Sequence, residues 1–260
     1  MTEPILLTAQ HGSTRVLTFH RPQQRNALSS ALIEVLRTEL AAADADEATD
    51  VVVLTGTDPA FCAGLDLREL GGSGGNLGRL SDDGIPVGHP WRPLSKPVIG
   101  AINGAAITGG LEMALACDFL IASERARFAD THARVGVLPG WGLTSRLPAA
   151  VGGAFARRMS LSGDFVDAET ALRVGLVTEV VEHDRLLGAA LDLAATIAGN
   201  DRVGVRTLLA SYRRAEEHVV APALQVENET SRQWMENFTP ERVAERRDDV
   251  IGRGRAQNAP

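Results

Sequence analysis

This 260-residue chain is poor in the features that mark membrane, secreted, metal-binding or nucleic-acid-binding proteins. No stretch approaches the roughly eighteen uninterrupted apolar residues of a membrane-spanning helix, so no membrane partner is expected. Met1-Thr2-Glu3-Pro4 carries an acidic residue where a secretory signal would be basic, and a cytoplasmic protein is expected. Cysteine is confined to Cys62 and Cys117, both in apolar settings, and no Cys or His falls at metal-ligand spacing. The thiols read as small buried fillers rather than as a disulfide, and no metal is expected. The net charge of −7 argues against nucleic acid as a main partner, although a local group of arginines can still grip phosphates. With an apolar content of 44 % the chain is long enough for one large core, and no internal repeat is visible.

Strand and helix signals alternate over the first half. Ile5–Thr8 and Arg15–Phe19 flank a turn at His11-Gly12-Ser13. A helix follows, capped by Ser29 or Ser30, with an apolar stripe of Leu32, Ile33, Val35, Leu36 and Leu40. The β-branched run Val51–Gly56, the apolar strand Lys96–Ile102 and the strand Phe119–Ala122 continue the pattern, which makes the fold class α/β. Later segments read as helices at Ala154–Leu161, Asp167–Val174 and Asp184–Ala198, with one strand at Val177–Val181. From about Asp201 to Asp249 the chain is charged, amphipathic and without strand signals, which suits a helical region packed on a neighbour. The division is therefore residues 1–200 as core and 201–260 as a helical C-terminal region. The stretch 71–90 is too rich in glycine and polar residues for a stable helix. Its Gly-x-Ser-x-Gly string around Ser73 lacks the preceding strand and following helix of a nucleophile elbow, so a serine hydrolase is not expected.

Two turns carry the chemistry. In Asn103-Gly104-Ala105-Ala106-Ile107-Thr108-Gly109-Gly110-Leu111-Glu112, Gly109 sits where free N–H groups open a helix, and Glu112 lies one turn in. Taken alone, this is also what a tight strand-to-helix turn with a surface glutamate looks like. A second turn, Ala60-Phe61-Cys62-Ala63-Gly64-Leu65-Asp66-Leu67, is of the same kind. Backbone N–H groups from the two, at Leu65 and Gly109, form the minimum apparatus for holding the oxygen of a thioester enolate.

These strings, with Arg21-Pro22, Asn26-Ala27-Leu28, Cys117-Asp118 and Gly136-Val137-Leu138-Pro139-Gly140-Trp141-Gly142, resemble the crotonase (enoyl-CoA hydratase/isomerase) superfamily in order and spacing from Ile5 to about Leu187. The resemblance implies a repeated ββα superhelix with a C-terminal trimerisation region, in a homotrimer or dimer of trimers. It implies an acyl-CoA substrate, with coenzyme A arriving as part of that substrate and no permanently bound cofactor. Leu65 and Gly109 become the oxyanion hole. Arg25, Ala27, Ala63, Asp66 and Leu67 become the coenzyme A contacts, with the Ala63 carbonyl on the adenine amino group and Arg253 and Arg255 as secondary candidates. Ile107, Leu138 and Trp141 become acyl-pocket walls.

The family's hydratases use two glutamates, and here only one is present. The first is Glu112; counting back from Gly136 places His132 where the second would stand. Imidazole can replace a carboxyl group in proton transfer, because its pKa of about 6.5 permits either state near neutrality. His132 is accordingly read either as the acid/base partner of Glu112 or as a structural histidine satisfied by a carbonyl or by Asp130. The expected reaction is hydration of a 2-enoyl-CoA to a 3-hydroxyacyl-CoA. The alternatives are isomerisation, hydrolysis or decarboxylation of another acyl-CoA, or acyl-CoA binding without turnover.

Overall fold

The computed structural model describes residues 3–72 and 84–257. Ser73 and the rest of the Gly-x-Ser-x-Gly string after Gly72 lie outside the described residues, with most of the glycine-rich stretch; Gly71 and Gly72 end a helix. The chain opens with β1 (Leu6–His11) and β2 (Thr14–Phe19), an antiparallel hairpin in register from Leu6 opposite Phe19 to His11 opposite Thr14. β1 runs three residues beyond the sequence-based strand because cross-strand pairing, not hydropathy, sets its end. Helix α1 (Ser30–Ala45) is capped by Ser29, whose side chain accepts from the Leu32 N–H. Leu32, Ile33, Leu36 and Leu40 are buried, but Val35 is not. At about 100° per residue Val35 falls on the flank of that stripe, so its place in the apolar face is corrected.

Three successive units then each supply two strands and a helix. The first is β3 (Val51–Gly56), β4 (Ala60–Cys62) and α2 (Leu67–Gly72). The second is β5 (Val98–Ile102), β6 (Ala105–Ile107) and α3 (Gly109–Leu115). The third is β7 (Phe119–Ser123), β8 (Arg127–Ala129) and α4 (His132–Val135). There follow α5 (Leu143–Val151), α6 (Gly153–Ser162), β9 (Val166–Asp167), α7 (Ala168–Arg173), β10 (Glu179–Val181), α8 (Leu186–Ala198), α9 (Arg202–Met235) and α10 (Pro240–Gln257).

The first strand of each unit joins one sheet, ordered β1-β2-β3-β5-β7-β10, and the second joins another, ordered β4-β6-β8-β9. Each chain segment therefore crosses from one sheet to the other immediately before its helix, and those crossings lie side by side. The strand β3 is buried on both faces: Val52 and Leu54 join the main core, Val51 and Val53 the layer under α8. Its unbroken apolar run Val51–Leu54 follows from that double burial.

Lys96, the chain's only lysine, is buried and donates to the Ala43 and Asp46 carbonyls at the end of α1. Cys62 and Cys117 are free, and burial raises both thiols, Cys62 to about 12. Helix α10 packs on α2 and α4 through Leu70, Val135, Val137 and Val243. Helix α9 buries only Leu224, Glu227 and Ser231. Among the described residues no helix is long and apolar enough to cross a membrane.

Candidate active site

A cavity of about 480 Å³ opens where the sheet crossings meet α4 and α10. Arg25, Ala27, Ala63, Leu65, Asp66 and Leu67 line it together with Ile107, Glu112, His132, Leu138 and Trp141. Arg25 is placed at the rim by consecutive left-handed residues, Arg25 and Asn26, with φ of 50° and 56°. The buried Asn26 amide holds that turn by donating to the Thr57 and Ala60 carbonyls. The Asp66 carboxylate accepts from Arg21 at 2.9 Å, and Asp66 lines the cavity. Arg255 lines the cavity; Arg253, two residues away and so across the helix, does not, and its charge acts instead on Arg134 and Asp164.

The backbone geometry explains why Leu65 and Gly109 offer donors. Leu28 pairs with Leu65 as an isolated parallel bridge, donating to the Gly64 carbonyl at 2.8 Å and accepting from the Asp66 N–H at 2.9 Å. In such a bridge the N–H of Leu65 itself points to the opposite side, toward the opening of α3. Gly109 is the first residue of α3, and its N–H has no intrahelical partner. The two groups are neighbours: a methyl on Gly109 would lie 3.6 Å from Leu65 N, and one on Gly64 would lie 3.4 Å from Gly109 N.

Donor, backbone strain and close approach are divided among three successive residues of this turn. The unusual dihedrals belong to Thr108, at φ 56° and ψ −114°, a conformation typical of glycine in a type II′ turn. The close approach belongs to Gly110, where an added methyl would meet the Cys62 carbonyl oxygen at 2.1 Å. Gly109 itself has room for one, with nothing nearer than 3.5 Å. Thr108 is held in its strained state by Thr131, whose hydroxyl lies 2.5 Å from that of Thr108 and whose N–H donates to it.

Glu112 is buried rather than surface-exposed. Its Oε1 accepts from the Gly140 and Trp141 N–H groups at 3.2 and 2.8 Å, and its Oε2 faces His132 Nε2 at 3.5 Å. The other imidazole nitrogen, Nδ1, lies 2.6 Å from Asp130 Oδ1, which also accepts from the His132 N–H. Asp130 thus anchors His132, and the anchoring aims Nε2 at Glu112. Burial opposes a charge on His132, but the hydrogen bond to Asp130 and the polar contact with Glu112, with the negative charges of both, outweigh it, raising the imidazole from 6.5 to about 10. It is therefore an imidazolium at neutral pH. Burial likewise works to raise Asp130, yet the bonds and charge of His132 hold its carboxyl below the ordinary value.

Sequence reasoning named Asp130 only as a possible anchor of His132, two residues away, and missed two further contributions. The Gly140 and Trp141 amides are backbone groups and leave no residue-type signature. Glu227, on α9, accepts from the Gly142 and Thr144 N–H groups and is one acidic residue among many on a charged helix. Among the described residues no group of three or more His, Cys, Asp and Glu is arranged for a metal ion.

Known proteins share this architecture. An enoyl-CoA hydratase of Mycobacterium tuberculosis H37Rv is 55 % identical in sequence and superposes with a TM-score of 0.82 over 89 % of this chain and 98 % of that one. A probable enoyl-CoA hydratase of Rhizobium meliloti is 37 % identical over 257 residues, covering 94 % of this chain and 98 % of the relative. A probable peroxisomal enoyl-CoA hydratase of Arabidopsis thaliana is 34 % identical over 250 residues, 96 % of this chain and 94 % of the relative. The enoyl-CoA hydratase/isomerase family model matches residues 10–248, a span that contains both sheet-crossing turns, Glu112 and His132. The chain belongs to the enoyl-CoA hydratase/isomerase family, the crotonase superfamily.

Proposed function

We propose that the protein adds water to a 2-enoyl-CoA to give a 3-hydroxyacyl-CoA, using Glu112 as base and His132 as acid. The observation that carries this reading is the Asp130–His132–Glu112 line ending in a cavity that Leu65 and Thr108 also line, with Gly109 N beside Leu65 at the start of α3. The 3.5 Å between Glu112 Oε2 and His132 Nε2 is long for a charged hydrogen bond and suits one water touching both. Glu112 takes a proton from that water as its oxygen bonds to the β-carbon. The double-bond electrons move toward the thioester oxygen, where the two N–H groups receive the developing charge, and the His132 Nε2 proton passes to the α-carbon. Each oxyanion donor contributes roughly 2.7–4 kcal/mol to the transition state, and the acid/base pair roughly 10²- to 10⁴-fold in rate. After product leaves, the proton on Glu112 returns to His132, and the pair is reset.

Within the same reading coenzyme A enters as part of the substrate. Its adenine amino group donates to the Ala63 carbonyl, Arg25 meets its phosphates, and Ile107, Leu138 and Trp141 contact the acyl group. Residues 1–200 form the core, wound as a superhelix of ββα units, and 201–260 form an oligomerisation region for a homotrimer or dimer of trimers. Support for that region comes from Val203, Leu208, Tyr212, Val219 and Val226, all exposed along α9.

The test is to incubate the protein with 2-enoyl, 3-enoyl and saturated acyl-CoAs and to follow enoyl absorbance together with product mass. Gain of one water by the 2-enoyl thioester supports hydration. A 3-enoyl substrate converted without mass change, with 2-enoyl thioesters left unhydrated, replaces it with isomerisation.

A further inference from the structure

We infer that Glu227, carried by α9, is a positioning residue for Glu112: together with Arg146 it fixes the Trp141–Gly142 peptide and so aims the amides that grip the Glu112 carboxylate. This inference rests on the proposed role of Glu112. The segment from Gly140 to Thr144 presents its N–H groups to two different carboxylates. Those of Gly140 and Trp141 go to Glu112. Those of Gly142 and Thr144, each at 2.6 Å, go to Glu227, which also accepts from the Thr144 hydroxyl.

The peptide between Trp141 and Gly142 is held from both ends. Its N–H donates to Glu227, and its carbonyl accepts from Arg146 Nη1 at 2.6 Å. The same Arg146 nitrogen reaches the Gly88 carbonyl, and its other arm lies 3.0 Å from His89. Burial, with the positive charges of Arg146 and Arg213, pushes His89 down to about 4, so the ring stays neutral and can accept from the guanidinium. Rotating this peptide would swing the adjacent Trp141 N–H away from Glu112. Gly142, at φ 89°, has no space for a side chain, since an added methyl would meet Arg146 and the Gly88 carbonyl.

A plain helix cap is an insufficient account. Gly142 opens α5 without a side-chain cap, and at its positive φ it has no room for one of its own. The carboxylate instead comes from 85 residues away, into a buried position close to the Glu112 charge. Burial and then Glu112 raise the Glu227 carboxyl, against the opposing bonds from Thr144 and Gly142. Arg146, attracted to both Glu112 and Glu227, balances that like-charge contact. A cap alone would affect stability, whereas a positioning residue affects turnover while leaving thioester binding intact.

The experiment compares Glu227→Gln with the parent in kcat, in Kd for a saturated acyl-CoA and in Tm. Glutamine keeps the shape but turns an N–H toward the Thr144 or Gly142 N–H. The expected result is a fall in kcat of about 10- to 100-fold, the order expected from a displacement near 1 Å, with the saturated acyl-CoA Kd unchanged. Ser231→Ala, buried one turn further along α9, should keep parental kcat. Should Glu227→Gln not fold, Thr144→Val decides: loss of one hydrogen bond is expected to cost about threefold in kcat with Kd unchanged. Parental kcat in the folded variant overturns the inference, as does a parallel loss of kcat and binding. Glu112→Gln is run beside them: if it retains turnover, the reading of the site itself fails, whereas its loss beside an active Glu227→Gln refutes only the inference.

Discussion

Replacing Asp130 by asparagine tests whether His132 enters turnover as an imidazolium. The amide can still accept from the His132 N–H and Nδ1–H, so the ring keeps its orientation, but the negative charge 2.6 Å from Nδ1 is gone. Charges whose centres are about 4 Å apart interact by about 4 kcal/mol at an effective dielectric of 20. At 1.36 kcal/mol per pKa unit that bounds the fall at about 3 units, and the retained hydrogen bond makes about 2 the expected value. The parent needs His132 protonated, so its kcat/KM should hold through neutrality and fall as pH rises through about 10. In Asp130→Asn the same limb should move to roughly pH 8. Stability follows in the same direction. A histidine raised on folding stabilises fully below its unfolded pKa of about 6.5, and that contribution is lost as pH rises through the folded value. The window in which parental stability declines therefore runs from about 6.5 to about 10 and closes earlier in the variant. Rates of 2-enoyl-CoA hydration across this range, with thermal melts at each pH, provide the assay. An alkaline limb that stays in place in a folded variant would refute the assignment of His132 as the acid.

Glu112→Gln should lower kcat by about 10²- to 10⁴-fold with acyl-CoA affinity retained, because the backbone donors and coenzyme A contacts remain; near-parental turnover removes Glu112 from the mechanism. His132→Ala should lose the alkaline limb entirely. His132→Glu alone would gather three buried carboxylates, so hydration is expected only when it is combined with Asp130→Asn, and an active single variant would contradict that charge argument. Gly110→Ala should destabilise by about 1–3 kcal/mol or more, since its methyl meets backbone at 2.1 Å, whereas Gly109→Ala should melt close to the parent; equal melting of all three proteins would refute this packing argument. Light scattering should find an oligomer, and a monomer at working concentration counts against the role given to α9.

The strands and helices visible in the sequence are those with a period or a run to reveal them. Val51–Gly56 could be read as a continuous run because it is buried on both faces, and the α1 stripe because burial on a helix repeats every three to four residues, with Ser29 as its cap. The strands β4, β6 and β8 could not, because three residues are too few to show a period, and they became strands by pairing across to one another. Glu112 and His132 could be read as candidates from residue type at motif spacing, and so could the backbone N–H groups of Leu65 and Gly109. Three-dimensional placement decided the rest. A carboxylate such as Glu227 differs from any other on an amphipathic helix only by what it meets after folding, and Asp130 acquires its function through a 2.6 Å contact. Local chemistry and periodicity are written along the chain and can be read there. Charge state, by contrast, depends on burial and on which charges face each other, so the tertiary structure alone turned His132 from an ordinary imidazole into a buried cation aimed at Glu112.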